Sequence, residues 1–464
     1  MKELVISKGA SGYMGALFEN GKMVELFQEE LESISGNIYI GRIERVLETL
    51  GGAFVNIGTS KNAFLKLRDL TSSYIENVLS GRKVAPGLKI LVQVKKDGTK
   101  QKGPQVTTKI CLAGRFLVYF PVSYAKGISK RIAGKERERL KKILEELREK
   151  GEGIIIRTAA DGVDKNLIEN EYHELKKTWE TLVKKFKRAR KVKLLLSPPT
   201  FLDFLIRERL EKDIKVLYTN DPEVAEKAKK AFSVYGHLKT KILDTDPFDE
   251  LGIYQKMREI TSRKIELESG GEIVIDHAEA MTVIDVNTAA SVKGASQRQL
   301  ILKTNIEAAK EIARQLRLRN IGGIVIIDFI TMDHEEDRKK VIEAFKKALK
   351  SDRARTEVLG FTKLGLLEMT RRRSSKSMAS FYTTSCPVCK GSGSVISQRL
   401  VISRIEADLS KINEAKMVKI RLHQSFSGYV TKSLIRKWKK LAQKEIRVEF
   451  DWCDPSTYEI KYTK

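Results

Sequence analysis

Two aspartates and one asparagine lie at the ends of two apolar segments in the second half of the chain. Asp285 and Asn287 close the run MTVIDVN, and Asp328 closes the run GGIVIID. Residues two apart in an extended strand point to the same face, so Asp285 and Asn287 are expected to act together. Two carboxylates and an amide form the hard-oxygen set that Mg²⁺ prefers, with water and a substrate phosphate completing its coordination. Such a site can polarise a phosphodiester and activate water for in-line attack.

The elements around these residues explain how they would meet. The segment 297–319 separates the two apolar runs and has the 3.6-residue period of a long amphipathic helix. Strand, crossover helix and strand form a βαβ unit, which makes the two strands parallel neighbours. Both aspartates then emerge at the carboxyl edge, where open α/β sheets bind ligands. The alternative is that each aspartate only caps a turn, as Asp333 with Glu336 is predicted to cap the helix over 334–350.

The segment CPVCKGSG has the cysteine spacing and the glycines of a structural zinc knuckle. Cys386 and Cys389 supply two thiolates, whereas structural zinc takes four ligands. Either Cys111 and Cys453 complete the site, or a second copy of the chain does so about a two-fold axis. The second solution is simpler, because Cys111 and Cys453 lack partner spacing, and it predicts a zinc-linked homodimer. A redox role is the other alternative, although no thioredoxin-like pattern surrounds the pair.

The overall charge indicates a polyanionic partner. The chain has 464 residues, with 87 Lys and Arg against 60 Asp and Glu, a net charge of +27. Heat-adapted proteins also carry many Lys and Glu as ion pairs, but ion pairs do not produce such an imbalance. Nucleic acid is therefore the first expectation and an anionic membrane the second. No stretch approaches the roughly 18 apolar residues of a membrane span and the start lacks a signal-peptide pattern, so a cytoplasmic location is expected.

Short apolar strands separated by Gly, Asn and Asp turns over residues 35–116 predict a small closed barrel. Single-stranded RNA binds OB-type barrels by stacking its bases on aromatic side chains within a basic groove. Phe54 in GAFVNIG and Phe64 in NAFLKL are candidates for such stacking, and burial in the barrel core is the alternative. Ahead of the barrel, residues 1–34 carry a hairpin pattern around Asn20-Gly21.

Two groups of arginines are candidates for binding phosphate. Arg157 follows an apolar strand and precedes Thr158, and a guanidinium beside a hydroxyl suits a terminal phosphate. The alternative is an ordinary exposed arginine at a strand end. Arg371 and Arg373 belong to the run RRR between the acidic pair and the zinc knuckle, where they are predicted to hold RNA phosphates. The alternative for that run is a solvated cluster of charges.

The motifs VIDVNTA, IGGIVIIDFITM, LGLLEMTRRR and CPVCKGSG occur in this order, and together they resemble the bacterial ribonuclease E/G family over nearly the whole chain. The chain stops at 464 without the long disordered extension of ribonuclease E, so it is more similar to the ribonuclease G branch. The resemblance implies a multidomain α+β fold. Its parts are an RNase H-like subdomain (1–34 and 200–262), an S-one-type OB-fold barrel (35–116), a 5′-sensor region (117–199), a DNase I-like α/β catalytic subdomain (263–383), a zinc-link (384–395) and a small C-terminal domain (396–464).

The resemblance also implies roles for individual residues. Asp285 and Asp328 match catalytic Mg²⁺ ligands, and Asn287 matches an amide that orients the attack. The remaining matches are Phe54, Phe64 and Lys102 along the RNA path, Arg157 and Thr158 at a pocket for a 5′-terminal monophosphate, and Cys386 and Cys389 at the zinc-link.

These features predict a cytoplasmic, Mg²⁺-dependent endoribonuclease that prefers 5′-monophosphorylated single-stranded RNA and leaves 5′-phosphate and 3′-hydroxyl ends. The resemblance implies maturation of ribosomal and transfer RNA precursors and turnover of messages, by a zinc-linked homodimer or a tetramer. The alternatives are a non-catalytic RNA-binding or ribosome-associated protein, and a nuclease that also cleaves DNA.

Overall fold

The structure, a computed structural model, divides the chain into two compact units, Met1–Ala379 and Ser380–Lys464. It describes residues 1–29, 33–98, 102–149, 151–288, 297–372, 377–384, 386–389, 391–412, 416–452 and 454–463. In these ranges, no helix combines the length and the apolar character needed to cross a membrane. Short 3-10 helices lie at Glu48–Leu50, Leu67–Asp69, Thr158–Ala160, Ser233–Tyr235 and Gln424–Phe426.

The chain begins with three antiparallel strands. They are β1 (Lys2–Gly9), β2 (Gly12–Glu19) and β3 (Lys22–Gln28). Asn20 and Gly21 connect the last two strands, and both have a positive φ, 51° and 78°. A two-residue hairpin turn of the primed type requires this conformation, which asparagine and glycine adopt most readily. The predicted hairpin is therefore confirmed.

The next segment closes into a small barrel, as the sequence predicted. Its elements are β4 (Ile38–Leu47), β5 (Gly52–Asn56), β6 (Ala63–Lys66), α1 (Ser72–Asn77), β7 (Lys89–Lys96) and β8 (Gln105–Thr107). The sheet closes on itself because β4 pairs with both β5 and β7, in the order β4-β5-β6-β8-β7. Side chains alternate along each strand, so Ala53, Val55 and Leu65 fill the interior.

A small four-stranded sheet and two helices follow the barrel. Their elements are β9 (Leu112–Ala113), β10 (Leu117–Phe120), β11 (Lys126–Ile128), α2 (Gly134–Leu147), β12 (Gly153–Ile156), α3 (Lys165–Arg188) and β13 (Lys193–Leu196). β12 lies between β10 and β11 and ends immediately before Arg157. α3 buries Ile168, Tyr172 and Trp179, and β13 pairs with β4 of the barrel.

The following segment completes the sheet that the first three strands began. Its elements are α4 (Phe201–Arg209), β14 (Ile214–Thr219), α5 (Pro222–Phe232) and β15 (Lys239–Ile242). The sheet order is β15-β14-β1-β2-β3, with β1 parallel to β14. One sheet therefore unites two distant segments of the chain, and its classification as an RNase H-like subdomain stays a prediction.

The next segment forms a six-stranded sheet, which we call the mixed sheet and which carries Asp285 and Asp328. The segment contains α6 (Pro247–Glu250), α7 (Ile253–Lys256), α8 (Arg258–Thr261), β16 (Lys264–Glu266), β17 (Glu272–His277), β18 (Met281–Asn287), α9 (Gln297–Leu318), β19 (Gly323–Asp328), α10 (Glu335–Leu349), β20 (Thr356–Phe361) and β21 (Leu366–Arg371). The predicted βαβ unit is confirmed, because β18 and β19 are parallel neighbours on either side of α9. The strands that flank this pair are antiparallel to it.

One face of the mixed sheet packs against α9 and α10. Ile284, Ile327 and Phe345 belong to the resulting core and are buried. The predicted N-cap at Asp333 is wrong, because α10 begins at Glu335 and His334 occupies the cap position without a side-chain hydrogen bond. Three acidic residues in the first turn instead provide the favourable charge at the positive end of this helix.

The second unit folds around its own core. Its described elements are α12 (Gln398–Leu409), β22 (Met417–His423), α13 (Lys432–Ala442), β23 (Glu445–Asp451) and β24 (Glu459–Thr463), preceded by α11 (Ala379–Tyr382) at the boundary between the units. The sheet order is β23-β22-β24. Val401, Phe426 and Trp438 are fully buried at its centre.

Candidate functional site

Asp285 and Asp328 lie side by side at the carboxyl edge of the two parallel strands. The register of β18 and β19 pairs Asp285 directly with Asp328, and neighbouring strands are about 4.8 Å apart. Ile284, Val286 and Ile327 point toward the helices and are buried, so the two carboxylates project from the opposite, open face. Both aspartates are exposed there. The structure thus brings together the two carboxylates that the sequence placed at strand ends.

Asn287 belongs to the same group. Its side-chain nitrogen Nδ2 donates a hydrogen bond of 2.9 Å to Oδ2 of Asp285. The bond orients the carboxylate. Because it uses the amide nitrogen, the amide oxygen is a third oxygen atom that could coordinate a metal ion. We refer to Asp285, Asn287 and Asp328 as the acidic edge.

The acidic edge fits a hard divalent ion with few protein ligands. Across the described ranges, His, Cys, Asp and Glu side chains form no group of three or more that is arranged to hold a metal. An ion at this edge would therefore take two carboxylates from the protein. Mg²⁺ suits such a site, because it keeps several waters and commonly binds one or two carboxylates together with a substrate phosphate.

Phe54 and Phe64 lie next to each other on the outside of the barrel. They are register partners on β5 and β6, with ring centroids 5.8 Å apart and ring planes at 68°. Phe54 is 37% exposed, so burial in the barrel core does not describe it. Gly52 permits this arrangement, since a Cβ at that position would lie 2.3 Å from Cζ of Phe64. The pair offers an aromatic surface on which bases can stack.

Basic side chains accompany these aromatic rings. Arg45 on β4 is the register partner of Phe54 and is exposed. Lys102, which the sequence placed along the RNA path, is exposed as well. Sequence reasoning did not select Arg45, although its position in β4 opposite an outward-facing residue of β5 was the available signal.

Arg157 and Thr158 lie together directly after β12. Nη1 of Arg157 donates to the carbonyl oxygen of Gly114 at 3.2 Å. Nη2 of Arg157 forms an ion pair with the carboxylate of Glu208 on α4. The hydroxyl groups of Thr158 and Ser129 share a hydrogen bond of 2.7 Å. We call these five residues the Arg157 pocket.

Glu208 is a residue that sequence reasoning missed, because 51 positions separate it from Arg157. Its Oε1 also accepts a hydrogen bond of 3.1 Å from Nε of Arg207. Burial favours the neutral carboxyl, but the charges of Arg157, Arg207 and Arg209 outweigh burial and lower the pKa of Glu208 below its ordinary value. The carboxylate is therefore ionised at neutral pH and neutralises part of the local positive charge.

A second carboxylate supports the wall of this pocket. Glu171 on α3 accepts hydrogen bonds from the backbone N–H groups of Arg115, Phe116 and Leu117, at 2.5, 2.8 and 3.0 Å. Burial raises the pKa of Glu171, although these donors and the charge of Arg157 oppose the rise. The bonds fix the backbone that follows Gly114, whose carbonyl oxygen holds Arg157.

Arg371 has a structural position that corrects the prediction of RNA contact. Its side chain is buried, and Nε and Nη2 donate to both carboxylate oxygens of Asp352 at 2.7 and 3.1 Å. Nη1 donates to Oδ1 of Asn320 at 3.1 Å and to the carbonyl oxygen of Ile321 at 2.6 Å. The guanidinium therefore ties β21 to the turn between α9 and β19. Arg373 lies outside the described residues.

Two cavities border the mixed sheet. One of about 310 Å³ lies at the start of β19, and its lining includes Gly323, Ile324, Thr370 and the exposed Arg355 and Arg372. Arg355 was missed because a single arginine after a helix carries no distinctive pattern. A larger cavity of about 690 Å³ runs along α9 and contains none of the predicted site residues.

Cys386 and Cys389 lie close together in the second unit, with Cys386 exposed and Cys389 half-buried. The backbone N–H groups of Gly391 and Gly393 donate to the sulfur of Cys389 and, together with Cys386, lower its pKa. Such donors favour the thiolate, which is the form that binds a metal. In the first unit, burial raises the pKa of the Cys111 thiol, and Cys453 lies outside the described residues.

The chain is similar to known proteins over most of its length. Residues 111–374 match the model of the Ribonuclease E/G family, a span that contains the acidic edge and the Arg157 pocket. Ribonuclease G of Salmonella typhimurium (strain SL1344) is 36% identical over 439 residues, covering 89% of this chain and 88% of that protein. Ribonuclease G of Escherichia coli (strain K12) is 35% identical over 432 residues, with the same coverage. Ribonuclease E of Nostoc sp. is 33% identical over 407 residues, covering 85% of this chain and 59% of that protein.

Proposed function

The chain belongs to the ribonuclease E/G family, and on that premise we propose that it is a Mg²⁺-dependent endoribonuclease that prefers 5′-monophosphorylated single-stranded RNA. Family membership makes it a hydrolase of phosphodiester bonds within RNA. The metal dependence, the preference for a 5′-monophosphate and a role in ribosomal, transfer and messenger RNA processing are the proposed part. The expected site of action is a reducing cytoplasm.

A single observation supports the metal-dependent mechanism most strongly. Asp285 and Asp328 are register partners on adjacent parallel strands, and both are exposed at the open face of the mixed sheet. Two unrelated turn-capping aspartates would have no reason to share one register position at the same edge. A pair of exposed carboxylates at this spacing instead forms a binding site for a hard cation.

The residues of the acidic edge have separable tasks in this mechanism. Asp285 and Asp328 would hold the ion, and Asn287 orients Asp285 through the hydrogen bond of 2.9 Å. When bound, Mg²⁺ lowers the pKa of a coordinated water and stabilises the charge that develops on the phosphate. Attack by water, rather than by the ribose 2′-hydroxyl, yields a 5′-phosphate on one product and a 3′-hydroxyl on the other.

The remaining predicted residues would position the RNA. Phe54 and Phe64 present aromatic surface on the barrel, and exposed basic residues that include Arg45 and Lys102 would contact the backbone. Arg157 and Thr158 would bind a 5′-terminal monophosphate, since a guanidinium fork and a hydroxyl can both donate to its oxygens. Arg371 is left out of this assignment because of its buried ion pair with Asp352.

We include zinc in the proposal as a structural ion shared between two chains. Cys386 and Cys389 supply two thiolates per chain, and a structural zinc site takes four ligands. A two-fold axis through the metal would complete the set and would produce a homodimer. If the Cys386→Ser variant kept both its zinc content and its mass as a dimer, this part of the proposal would fail.

Cleavage of a 5′-monophosphorylated single-stranded RNA in Mg²⁺ tests the catalytic assignment. Asp328→Asn is expected to lower kcat by at least about a thousandfold, because loss of the metal's charge stabilisation costs several kcal/mol. Asp333→Asn provides the matched control, since it removes the same charge at an exposed position just beyond the strand. Equal cleavage by Asp328→Asn and wild type would mean that Asp328 is structural, and no cleavage by either protein would favour the alternative of a non-catalytic RNA-binding protein.

A further inference from the structure

We propose that Glu208 sets the affinity of the protein for the 5′-terminal phosphate of RNA by competing with that phosphate for Arg157. In the free protein, the carboxylate of Glu208 is paired with the same guanidinium group that the phosphate would bind. The inference rests on the proposed function, namely on the assignment of Arg157 and Thr158 to the 5′-monophosphate, and it adds a barrier that an incoming RNA end has to overcome.

The geometry of the pocket carries the inference. Arg157 and Glu208 form a direct ion pair, with side chains only 18% and 16% exposed. The other terminal nitrogen of Arg157 is bound to the carbonyl oxygen of Gly114 at 3.2 Å. A phosphate that uses the two-pronged donor face of this guanidinium therefore has to displace Glu208. The hydroxyl groups of Thr158 and Ser129 share a hydrogen bond with each other, and Oγ of Ser129 also accepts one of 3.3 Å from the backbone N–H of Arg131, so neither bond involves a competing carboxylate.

Displacement does not leave Glu208 without a partner. Removing one member of a buried ion pair is costly because the other charge remains uncompensated. Here Oε1 of Glu208 already accepts a hydrogen bond of 3.1 Å from Nε of Arg207. Arg207 is held in place in turn, since its Nη1 donates to the carbonyl oxygen of Ala113 at 2.9 Å. Glu208 can therefore release Arg157 and remain neutralised by its neighbour on α4.

The exchange favours a phosphorylated end over a hydroxyl end. A 5′-monophosphate carries a charge of about −1.5 to −2 and three acceptor oxygens, more than the single charge of a carboxylate. A 5′-hydroxyl carries no charge and cannot displace Glu208 from Arg157. Competition by Glu208 thus lowers the affinity for a phosphorylated end, whereas a hydroxyl end makes no contact with Arg157 that Glu208 could block.

The test compares one single-stranded oligoribonucleotide with a 5′-monophosphate and with a 5′-hydroxyl as substrates for Glu208→Gln. The amide keeps the size of the side chain and removes the charge that competes. We expect KM for the monophosphate substrate to fall by about tenfold, with kcat unchanged, because a larger fraction of the protein then has a free guanidinium. KM for the hydroxyl substrate is expected to stay within about twofold of wild type. An unchanged or increased KM for the monophosphate substrate would overturn the proposal.

Glu223→Gln serves as the control for removal of an acidic charge, since Glu223 lies on the next helix and pairs with Lys227 at the surface. It is expected to leave both KM values unchanged. Should Glu208→Gln lower the melting temperature, Glu208→Asp provides a second measurement. Asp keeps the charge beside Arg207 and withdraws it from Arg157 by one methylene, so KM for the monophosphate substrate is expected to fall here as well, and an unchanged value in this variant would equally overturn the proposal.

Arg157→Gln separates this inference from the proposed function. If Arg157→Gln raises KM for the monophosphate substrate while Glu208→Gln does not lower it, only the competing role of Glu208 fails. If Arg157→Gln leaves that KM unchanged in an otherwise active enzyme, the phosphate binds elsewhere and both assignments fail. In the Arg157→Gln background, Glu208→Gln is expected to produce no further decrease in KM, and a full decrease there would overturn the proposal.

Discussion

The charged groups of the acidic edge and of the Arg157 pocket differ in their exposure and in their partners. At the acidic edge, Asp285 and Asp328 are exposed on an open sheet face, and Asp285 is oriented by a neutral amide. In the Arg157 pocket the functional charge is largely buried and is already paired with a carboxylate of the protein. The acidic edge can bind a cation from solution directly. In the Arg157 pocket, an incoming anion first has to replace the carboxylate that is already paired with Arg157.

This difference follows from solvation. Two adjacent carboxylates that remain in water keep most of their hydration, so burial does not impose a need for a counter-ion. A guanidinium taken out of water requires a partner, and Glu208 supplies one to Arg157. The comparison shows that exposed charged residues are open to a ligand directly, whereas buried charged residues already have a partner within the protein, even where the residue types alone look equally functional.

Arg371 resembles a phosphate-binding residue in sequence, but in the structure its buried guanidinium is already paired with Asp352, so it tests whether burial and pairing exclude a role in RNA binding. Arg371→Gln is expected to lower the free energy of unfolding by about 3–5 kcal/mol, since it leaves the buried carboxylate of Asp352 without its partner. Urea denaturation measures the change. Arg372→Gln, at the exposed neighbouring position, is the control and is expected to stay within about 0.5 kcal/mol of wild type. A stable Arg371→Gln protein with weakened RNA binding would reverse our assignment.

At the acidic edge, the hydrogen bond from Asn287 to Asp285 is expected to contribute to catalysis by orienting a carboxylate. Asn287→Ala removes the donor to Asp285 but keeps both carboxylates, so kcat is expected to fall by about 10- to 100-fold, as for other residues that orient a metal ligand. Single-turnover cleavage with saturating enzyme measures the effect on the chemical step. Thr288→Ala changes the next exposed side chain and is expected to retain wild-type activity. Equal rates in both variants would mean that the hydrogen bond of Asn287 does not contribute.

Phe54 on the barrel is also exposed and is therefore available to contact a ligand. Phe54→Ala is expected to raise the Kd for single-stranded RNA by about 5- to 150-fold, since stacking of one base is worth about 1–3 kcal/mol. Fluorescence anisotropy in the Asp328→Asn background allows binding to be measured without cleavage. Leu50→Ala removes another exposed apolar side chain from the barrel, 68% exposed, and is expected to bind RNA normally. A loss of equal size in the control would indicate a general effect on the barrel.

Local patterns in the sequence predicted the parts of the structure that depend on local rules. The Asn20-Gly21 hairpin follows from the backbone conformations that these two residues adopt easily. The meeting of Asp285 and Asp328 follows from the geometry of a strand–helix–strand unit, in which two strand ends share one edge. Neither result requires knowledge of distant contacts.

Two features that sequence reasoning did not predict, the burial of Arg371 and the contact between Glu208 and Arg157, depend on partners far away in the chain. Arg371 and Asp352 lie 19 positions apart, and burial rather than composition distinguishes them from a solvated charge run. Glu208 on α4 reaches Arg157 directly after β12, and no spacing rule predicts that contact. The cap at Asp333 failed for a local reason, because α10 starts one residue later than the acidic pattern indicated.

The products of RNA cleavage test the central claim most directly. A 5′-monophosphorylated single-stranded RNA is incubated with the protein in Mg²⁺, in EDTA, and in EDTA followed by excess Mg²⁺, and the ends of the fragments are identified. If Asp285 and Asp328 hold a Mg²⁺ ion that supports hydrolysis by water, cleavage is expected only where Mg²⁺ is free, with 5′-phosphate and 3′-hydroxyl ends. Cleavage that persists in EDTA, or fragments that end in a 2′,3′-cyclic phosphate, would contradict hydrolysis at the pair of aspartates.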